Sequence, residues 1–274
     1  MPPPAPEALA ARVIGSPALS ASRSVAADYL ELTKPRITLM VVLTTTVGFA
    51  LASQGRVDLG RLAATIVGTA LIAGGASALN MVFERRIDGR MLRTRARPLP
   101  ALVALVTWAS YLFLYTPLKP RTSLCTVVGA FPGALPPVIG WAAARGALDP
   151  GAFVLFAILF LWQIPHFLAI AWIYREDYAR GGLPMLPVLD PEGRVTGRQA
   201  VANSAALLVV SLVPTAAGLA GRAYLAGAVC LGVALTAVAA RAAIVRTRGA
   251  ARLLFLGSLL YLPALCALLL VDRL

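Results

Sequence analysis

The segment Asn80-Met81-Val82-Phe83-Glu84-Arg85-Arg86-Ile87-Asp88-Gly89-Arg90-Met91-Leu92-Arg93-Thr94-Arg95-Ala96-Arg97-Pro98 carries an uncharged run into a basic one. Residues 62–83 contain no charged side chain. That is the length of helix a hydrocarbon core requires, ~17–25 residues. Only helices and closed barrels satisfy their backbone hydrogen bonds in lipid, and the alternation of a barrel strand is missing here. Residues 62–83 therefore read as a membrane span, with Glu84 where it leaves the apolar layer. Asn80, Glu84 and Asp88 are spaced by four. Each such step turns a helix by ~400°, so the three side chains keep within an arc of ~80° over ~12 Å. A row of oxygen acceptors is costly to hold at the edge of lipid. Hard oxygen ligands of this kind suit Mg²⁺, which takes one or two carboxylates and completes its shell with substrate phosphates and water. Six arginines follow at once, at 85, 86, 90, 93, 95 and 97. Carboxylates beside arginines fit a metal-bridged polyanion whose remaining charge the arginines neutralise. The plainer alternative is an ordinary helix end with a solvated charged loop.

The rest of the 274 residues repeats the pattern. Hydrophobic residues make up 59% of the chain and charged residues 14%. A soluble domain sits near half apolar and a quarter charged. This excludes a soluble enzyme, a disordered chain and a disulfide-rich secreted domain, and the expectation is an all-α polytopic membrane protein. Eight segments are long and apolar enough to span: 37–53, 62–83, 99–115, 124–144, 152–173, 200–219, 223–240 and 253–271. Residues 1–28, rich in Ala, Pro and Ser, read as a disordered N-terminal tail without the apolar core of an export signal. Residues 29–274 form the transmembrane domain. Cys125, Cys230 and Cys266 lie singly in apolar runs, which excludes a disulfide framework or a thiolate metal site.

The formal charge is +13, from 25 basic and 12 acidic residues. Basic chains often bind nucleic acid, but these cations sit between spans, so they read as topology signals and as affinity for anions at the membrane face. No nucleic acid is expected. If all eight segments cross once, the cations divide almost evenly between the two sides. If 99–115 returns to the side it left, or lacks a partner span, most of them fall on one side. The positive-inside rule prefers the second arrangement. One crossing too many or too few is therefore expected between Pro98 and Thr116. That arrangement puts the N-terminus and the loops at 84–98, 116–123, 174–199 and 241–252 on the cytoplasmic face.

Two further stretches carry polar groups to that face. Trp162-Gln163-Ile164-Pro165-His166-Phe167 runs down one span and emerges as Tyr174-Arg175-Glu176-Asp177-Tyr178. Glu176 and Asp177 form a second acidic cluster, able to share one or two Mg²⁺ on a diphosphate with the first. The alternative for Asp177 is a salt bridge with Arg175 or Arg180. His166 is the sole histidine and lies within a span. Its imidazole is placed to satisfy a carbonyl freed by Pro165, or to act on a substrate. In Tyr115-Thr116-Pro117-Leu118-Lys119, the lysine is either a phosphate clamp or a topology anchor.

These three blocks, in this order, resemble the haem branch of the UbiA-type intramembrane prenyltransferases, the protohaem IX farnesyltransferases. The likeness runs from about Tyr29 to the C-terminus, and Glu84 with the Trp162–Phe167 block points to the haem branch. It implies a helix bundle of nine spans with a lateral opening to lipid, against about eight segments here. One span between the Arg97-Pro98 and Tyr115–Lys119 motifs has no counterpart, in the interval the charge count singles out. The resemblance further implies Mg²⁺-dependent transfer of a farnesyl group from farnesyl diphosphate to a vinyl group of haem b, giving haem O. Carried over, Asn80, Glu84, Asp88 and Asp177 hold the Mg²⁺–diphosphate, with Asp88 and Asp177 central to catalysis. Arg93, Arg97 and Lys119 contact the diphosphate, and Trp162 and His166 are candidate haem contacts. The expected location is the cell inner membrane, with haem-handling membrane enzymes as candidate partners. Two other readings stay open: prenyl transfer to an aromatic quinone precursor, and a haem-handling or transport protein without transferase activity. An inactive member lacking one span is a third.

Overall fold

The computed structural model describes residues 35–53, 57–83, 106–107, 109–110, 113 and 115–274. Among them the architecture is helical throughout. Helix α1 is Pro35–Ala52 and α2 is Leu59–Phe83. The short α3, Thr116–Leu118, leads into α4, Cys125–Gly133, and α5, Pro136–Arg145. Helix α6 is Pro150–Ile173, followed by the short α7, Arg175–Arg180, and α8, Leu186–Leu189. Then come α9, Arg194–Val210, α10, Val213–Ala216, α11, Arg222–Val245, and α12, Arg248–Val271. Five stretches are long and apolar enough to cross a membrane: Cys125–Arg145, Pro150–Ile173, Arg194–Ala216, Arg222–Val245 and Arg248–Val271. Shorter apolar helices cover Ile37–Ala52 and Leu59–Ala73. This is a multi-pass membrane protein. The segment at 99–115 lies mostly outside the described residues.

Local sequence sets the helix boundaries. Pro150 opens α6 at the first helical position, where its missing N–H costs nothing. Gly146 closes α5 in the left-handed region with φ 69°. The crossing formed by α4 and α5 is broken at Ala134 and Leu135, where Pro132, Pro136 and Pro137 remove backbone donors. Short i→i+3 bonds close the break: Ala134 N donates to Phe131 O at 3.1 Å and Leu135 N to Pro132 O at 3.3 Å.

Helix α1 packs most closely on α5, α6 lies among α4, α5, α9 and α12, and α11 closes against α9 and α12. Small residues permit the α1–α5 approach. A Cβ on Gly48 would sit 2.0 Å from Pro137 O, and one on Gly140 1.9 Å from Thr45 O. In lipid, where the hydrophobic effect cannot drive helices together, such backbone contact is a principal source of packing energy. Thr45 Oγ1 donates to Pro136 O across the same interface.

The bundle has two distinct ends. At one, Arg145 Nε donates to Ala52 O, Arg273 to Ala50 O, and Gly221 N to Asp272 O. At the other lie Lys119, the turns between α6 and α9, and the α11–α12 turn. Helix α2, joined to α1 by a short link and packed on it, returns toward the Lys119 end and finishes at Phe83. One expectation needs correction. Helices α9, α11 and α12 extend beyond their apolar windows, so Arg194, Arg198, Arg241, Arg248 and Arg252 are helical and not in loops. At α9 the extension rests on a cap: the Asp190 carboxylate accepts from Thr196 N in the first turn, a detail that a hydropathy window cannot see.

Candidate active site

The first acidic row largely escapes description. Asn80 falls on α2 with its side chain outside the described residues, and Glu84, Asp88, Arg93 and Arg97 lie outside them altogether. The second and third blocks are described, and they meet. Cys125, Ala171 and Met185 form a small buried cluster that packs Tyr115, Leu118, Tyr178, Leu183 and Val188 around it. Cys125 Sγ lies 3.9 Å from Met185 Sδ. The end of the Tyr115–Lys119 block is thereby fixed against the Tyr174–Met185 block. Lys119, half-buried, closes α3, its N–H donating to Tyr115 O at 3.0 Å. Gly129 leaves room for Tyr115, whose ring would lie 2.6 Å from an added Cβ.

Asp177 and Glu176 occupy the first turn of α7, exposed at this end. The Asp177 carboxylate forms an ion pair with Arg180 and not with Arg175, whose guanidinium stacks 4.8 Å above the Trp172 ring. Both partners are exposed, so the pair contributes little stability and gives way readily to a stronger ligand. Burial pushes the Tyr178 phenol above its usual value, with Cys125 and Tyr174 adding to the effect. Its hydroxyl stays protonated and available as a donor at neutral pH. Asp190, which sequence reasoning did not single out, anchors the next element. Its carboxylate accepts from Thr196 N at 2.7 Å and from Thr196 Oγ1 at 2.9 Å. Among the described residues no cluster of three or more His, Cys, Asp or Glu is placed to hold a metal.

The Trp162–Phe167 block lies deeper. Gln163 is a structural residue: its Nε2 donates to Ala130 O and Leu159 O, both at 3.1 Å, and so ties the broken α4–α5 crossing to α6. Gly133 is required opposite it, because a Cβ there would lie 2.0 Å from Gln163 Oε1. Trp162 Nε1 donates to Ser258 O at 2.7 Å, and His166 Nδ1 lies 2.8 Å from Ser258 Oγ. His166 therefore turns to α12 and not to a carbonyl of its own helix freed by Pro165. Ser258 Oγ donates its one proton to Phe255 O at 2.7 Å. This assigns the imidazole proton to Nδ1 and leaves Nε2 as a lone pair. The ring is sandwiched between Trp162, with centroids 4.8 Å apart, and Phe255, 5.0 Å away. Ser258 and Phe255 carried no sequence signal, since both sit in an unbroken apolar run.

The UbiA prenyltransferase family model matches residues 41–102 and 100–262, including the three polar blocks. The chain belongs to the UbiA prenyltransferase family. The two matched stretches meet and overlap at 100–102, inside the interval where the charge count asks for another crossing. Among curated relatives, a protein of Solibacter usitatus named protoheme IX farnesyltransferase is 47% identical over 287 aligned positions, covering 90% of this chain and 98% of the relative. The aligned length exceeds the 274 residues of this chain. That relative therefore holds residues without a counterpart here. Proteins of the same name from Koribacter versatilis and Salinibacter ruber are 40% and 42% identical, covering 91% and 89% of this chain and 94% and 98% of the relatives. A solved structure from work on digeranylgeranylglyceryl phosphate synthase in membranes superposes with a TM-score of 0.72. It covers 89% of this chain and 96% of that one at 14% identity, a likeness of UbiA fold alone.

Proposed function

We infer that this prenyltransferase moves a farnesyl group from farnesyl diphosphate to a vinyl group of protohaem IX, giving haem O. The observation that carries the reading is near-complete alignment to the protoheme IX farnesyltransferase of Solibacter usitatus, at 47% identity across 98% of its length. The geometry supports it, because the Lys119 and Asp177 blocks share one end of the bundle and the described part of α2 runs toward that end.

Asp177 is an exposed hard-oxygen ligand held only by a surface ion pair. Mg²⁺ requires one or two carboxylates when a substrate supplies phosphate oxygens, so the donor set fits. Asn80, Glu84, Asp88 and Asp177 would hold it, and it would neutralise the departing diphosphate. Arg93, Arg97 and Lys119 would contact the same phosphates. The bond between C1 of the farnesyl group and the diphosphate oxygen breaks, and C1 bonds to the terminal vinyl carbon. Water adds its oxygen to the inner vinyl carbon and releases a proton. Charge developing on the leaving group would be met by Lys119, at this end of the bundle, and by Arg93 and Arg97. Positive charge on the allylic fragment lies within apolar helices that exclude premature water. Trp162 and His166 would face the porphyrin, His166 offering Nε2. The protein would sit in the cell inner membrane with the Lys119 end cytoplasmic.

The test is label transfer. Membranes holding the chain receive radiolabelled farnesyl diphosphate and haem b, with and without Mg²⁺, and extracted haem is counted. Label in haem that depends on Mg²⁺ and is lost in Asp177→Asn is the expected result. Label in an aromatic quinone precursor instead, or haem bound without transfer, would overturn it.

A further inference from the structure

Between Glu192 and Asp272 the sequence contains no acidic residue. Seven arginines lie in that interval, and Arg222 alone belongs to the opposite end of the bundle. The other six gather where α9 begins, α11 ends and α12 begins: Arg194, Arg198, Arg241, Arg246, Arg248 and Arg252, all exposed. Glu192 pairs with Arg194 at 2.8 Å. Among the described residues no carboxylate pairs with the remaining five. Asp190, just before α9, has its carboxylate committed to Thr196.

Topology signalling alone does not explain the arrangement of Arg246. It is the one described residue other than glycine with positive φ, 53°. Its N–H donates to Ala242 O, closing α11, and its Nε donates to Ala243 O at 2.8 Å. This bond ties the Nε edge of the guanidinium to the helix end and leaves the two terminal nitrogens for another acceptor, the fork that matches a phosphate. Glycine is the usual residue in this left-handed closing position. Beneath it lies a cavity of about 30 Å³ whose lining includes Trp172, Thr196, Arg246, Thr247 and Leu254. Ile244, at 78% exposed on the last turn of α11, and Leu253, at 42% near the start of α12, present apolar surface on the same two helix ends. The cavity is separated from the Asp177 cluster by α6 itself: Leu168 and Trp172 face the cavity, whereas Ala171 faces Cys125 and Met185.

We propose that the ends of α9, α11 and α12 form a binding site for an anionic phospholipid, its phosphate held by Arg246 with Arg248 and Arg252 and its acyl chains along Ile244 and Leu253. Exposed arginines beside exposed apolar side chains, with no carboxylate paired to them among the described residues, match an amphiphile with a negative head. A soluble anion would use the arginines and leave the apolar flank idle.

Arg246→Gly separates binding from folding, because glycine suits the backbone at that position. Full-length protein in detergent is titrated with dioleoylphosphatidylglycerol, dioleoylphosphatidylcholine or inorganic phosphate, and both bound lipid by native mass spectrometry and the melting temperature are recorded. Wild type should retain phosphatidylglycerol and melt higher with it, with no response to phosphatidylcholine or phosphate. Arg246→Gly should melt no lower than wild type without lipid and bind phosphatidylglycerol about fivefold more weakly, as one arginine lost from an anionic surface implies. The triple variant R246G/R248Q/R252Q should lose the phosphatidylglycerol response, and R222Q at the far end should keep it. Equal responses to the two lipids, a response to phosphate alone, or an unchanged response in the triple variant would each overturn the proposal.

Discussion

Gly133→Ala tests how the glutamine of the Trp162–Phe167 block acts. An alanine Cβ would stand 2.0 Å from Gln163 Oε1 and 2.9 Å from its Cδ. Relaxed contacts begin near ~3.5 Å, so the amide must withdraw by more than ~1 Å. Withdrawal costs both bonds of Nε2, to Ala130 O and Leu159 O. The bond to Ala130 O crosses between helices, a kind that averages about 0.6 kcal/mol, and the bond to Leu159 O lies within α6, so their direct loss is small. The larger part is a buried amide left without partners, about 1–3 kcal/mol. The expected total is about 2–4 kcal/mol, a fall in melting temperature of roughly 5–10 °C. Thermal unfolding in detergent, followed by gel-filtration recovery, measures it. Gly68→Ala, which has open space around it on α2, is the control and should hold or gain stability. If Gly133→Ala melts with Gly68→Ala, Gln163 does not lock the broken crossing to α6. Adding Gln163→Ala to Gly133→Ala should remove most of the clash, so the double variant should be no worse than Gln163→Ala alone.

Other outcomes follow from the same geometry. Ser258→Ala should lower the melting temperature and, in haem-loaded protein, shift the Soret band, because His166 loses the partner that fixes its proton on Nδ1; an unchanged spectrum would detach His166 from haem. Burial raises the Asp190 carboxyl but the Thr196 bonds outweigh it and bring it below its unfolded value of 3.8. Its contribution is therefore complete above that pH and lost as pH falls through the lower folded value. Wild type should lose more stability than Asp190→Asn between pH 5 and pH 3 in thermal melts, and parallel curves would refute the assignment. Alkaline-phosphatase and fluorescent-protein fusions after Lys119 and after Arg180 should report the same side of the membrane, and a fusion after Ala147 the opposite side.

The sequence made the helix at 62–83 and the spans at 124–144 and 152–173 legible, because lipid demands long uncharged runs. It did not reveal where helices continue past the apolar runs: α9 begins at Arg194, well before the apolar window opens at 200, and its first turn, with Val195, Thr196 and Gly197, is held by the Asp190 carboxylate and not by helix propensity. It placed Lys119 and Asp177 on one face by counting arginines, and the packing of Tyr115, Leu118 and Tyr178 around Cys125 and Met185 agrees. Gln163 and His166 were visible as polar residues in a span, but their partners were not. Ala130 O and Ser258 lie far away in the chain, and a lone serine among leucines carries no periodic signal. Gly133 and Gly140 were equally silent, because the need for a missing Cβ arises only when another backbone or amide arrives against it. For Asp177, the salt bridge that sequence offered as an alternative to metal binding is present, with Arg180 as partner, and its exposure leaves the carboxylate open to exchange.

The account stands on the two acidic stretches meeting at one end of the bundle. Nitroxide labels on Asp88→Cys and Asp177→Cys, with Cys230→Ala to remove the exposed native thiol, give the distance by pulsed electron resonance. A shared diphosphate site predicts a separation below ~20 Å, whereas the length of a 24-residue span, ~36 Å, would separate them at opposite ends. A distribution centred at the shorter distance is expected; one centred near the longer would contradict the account.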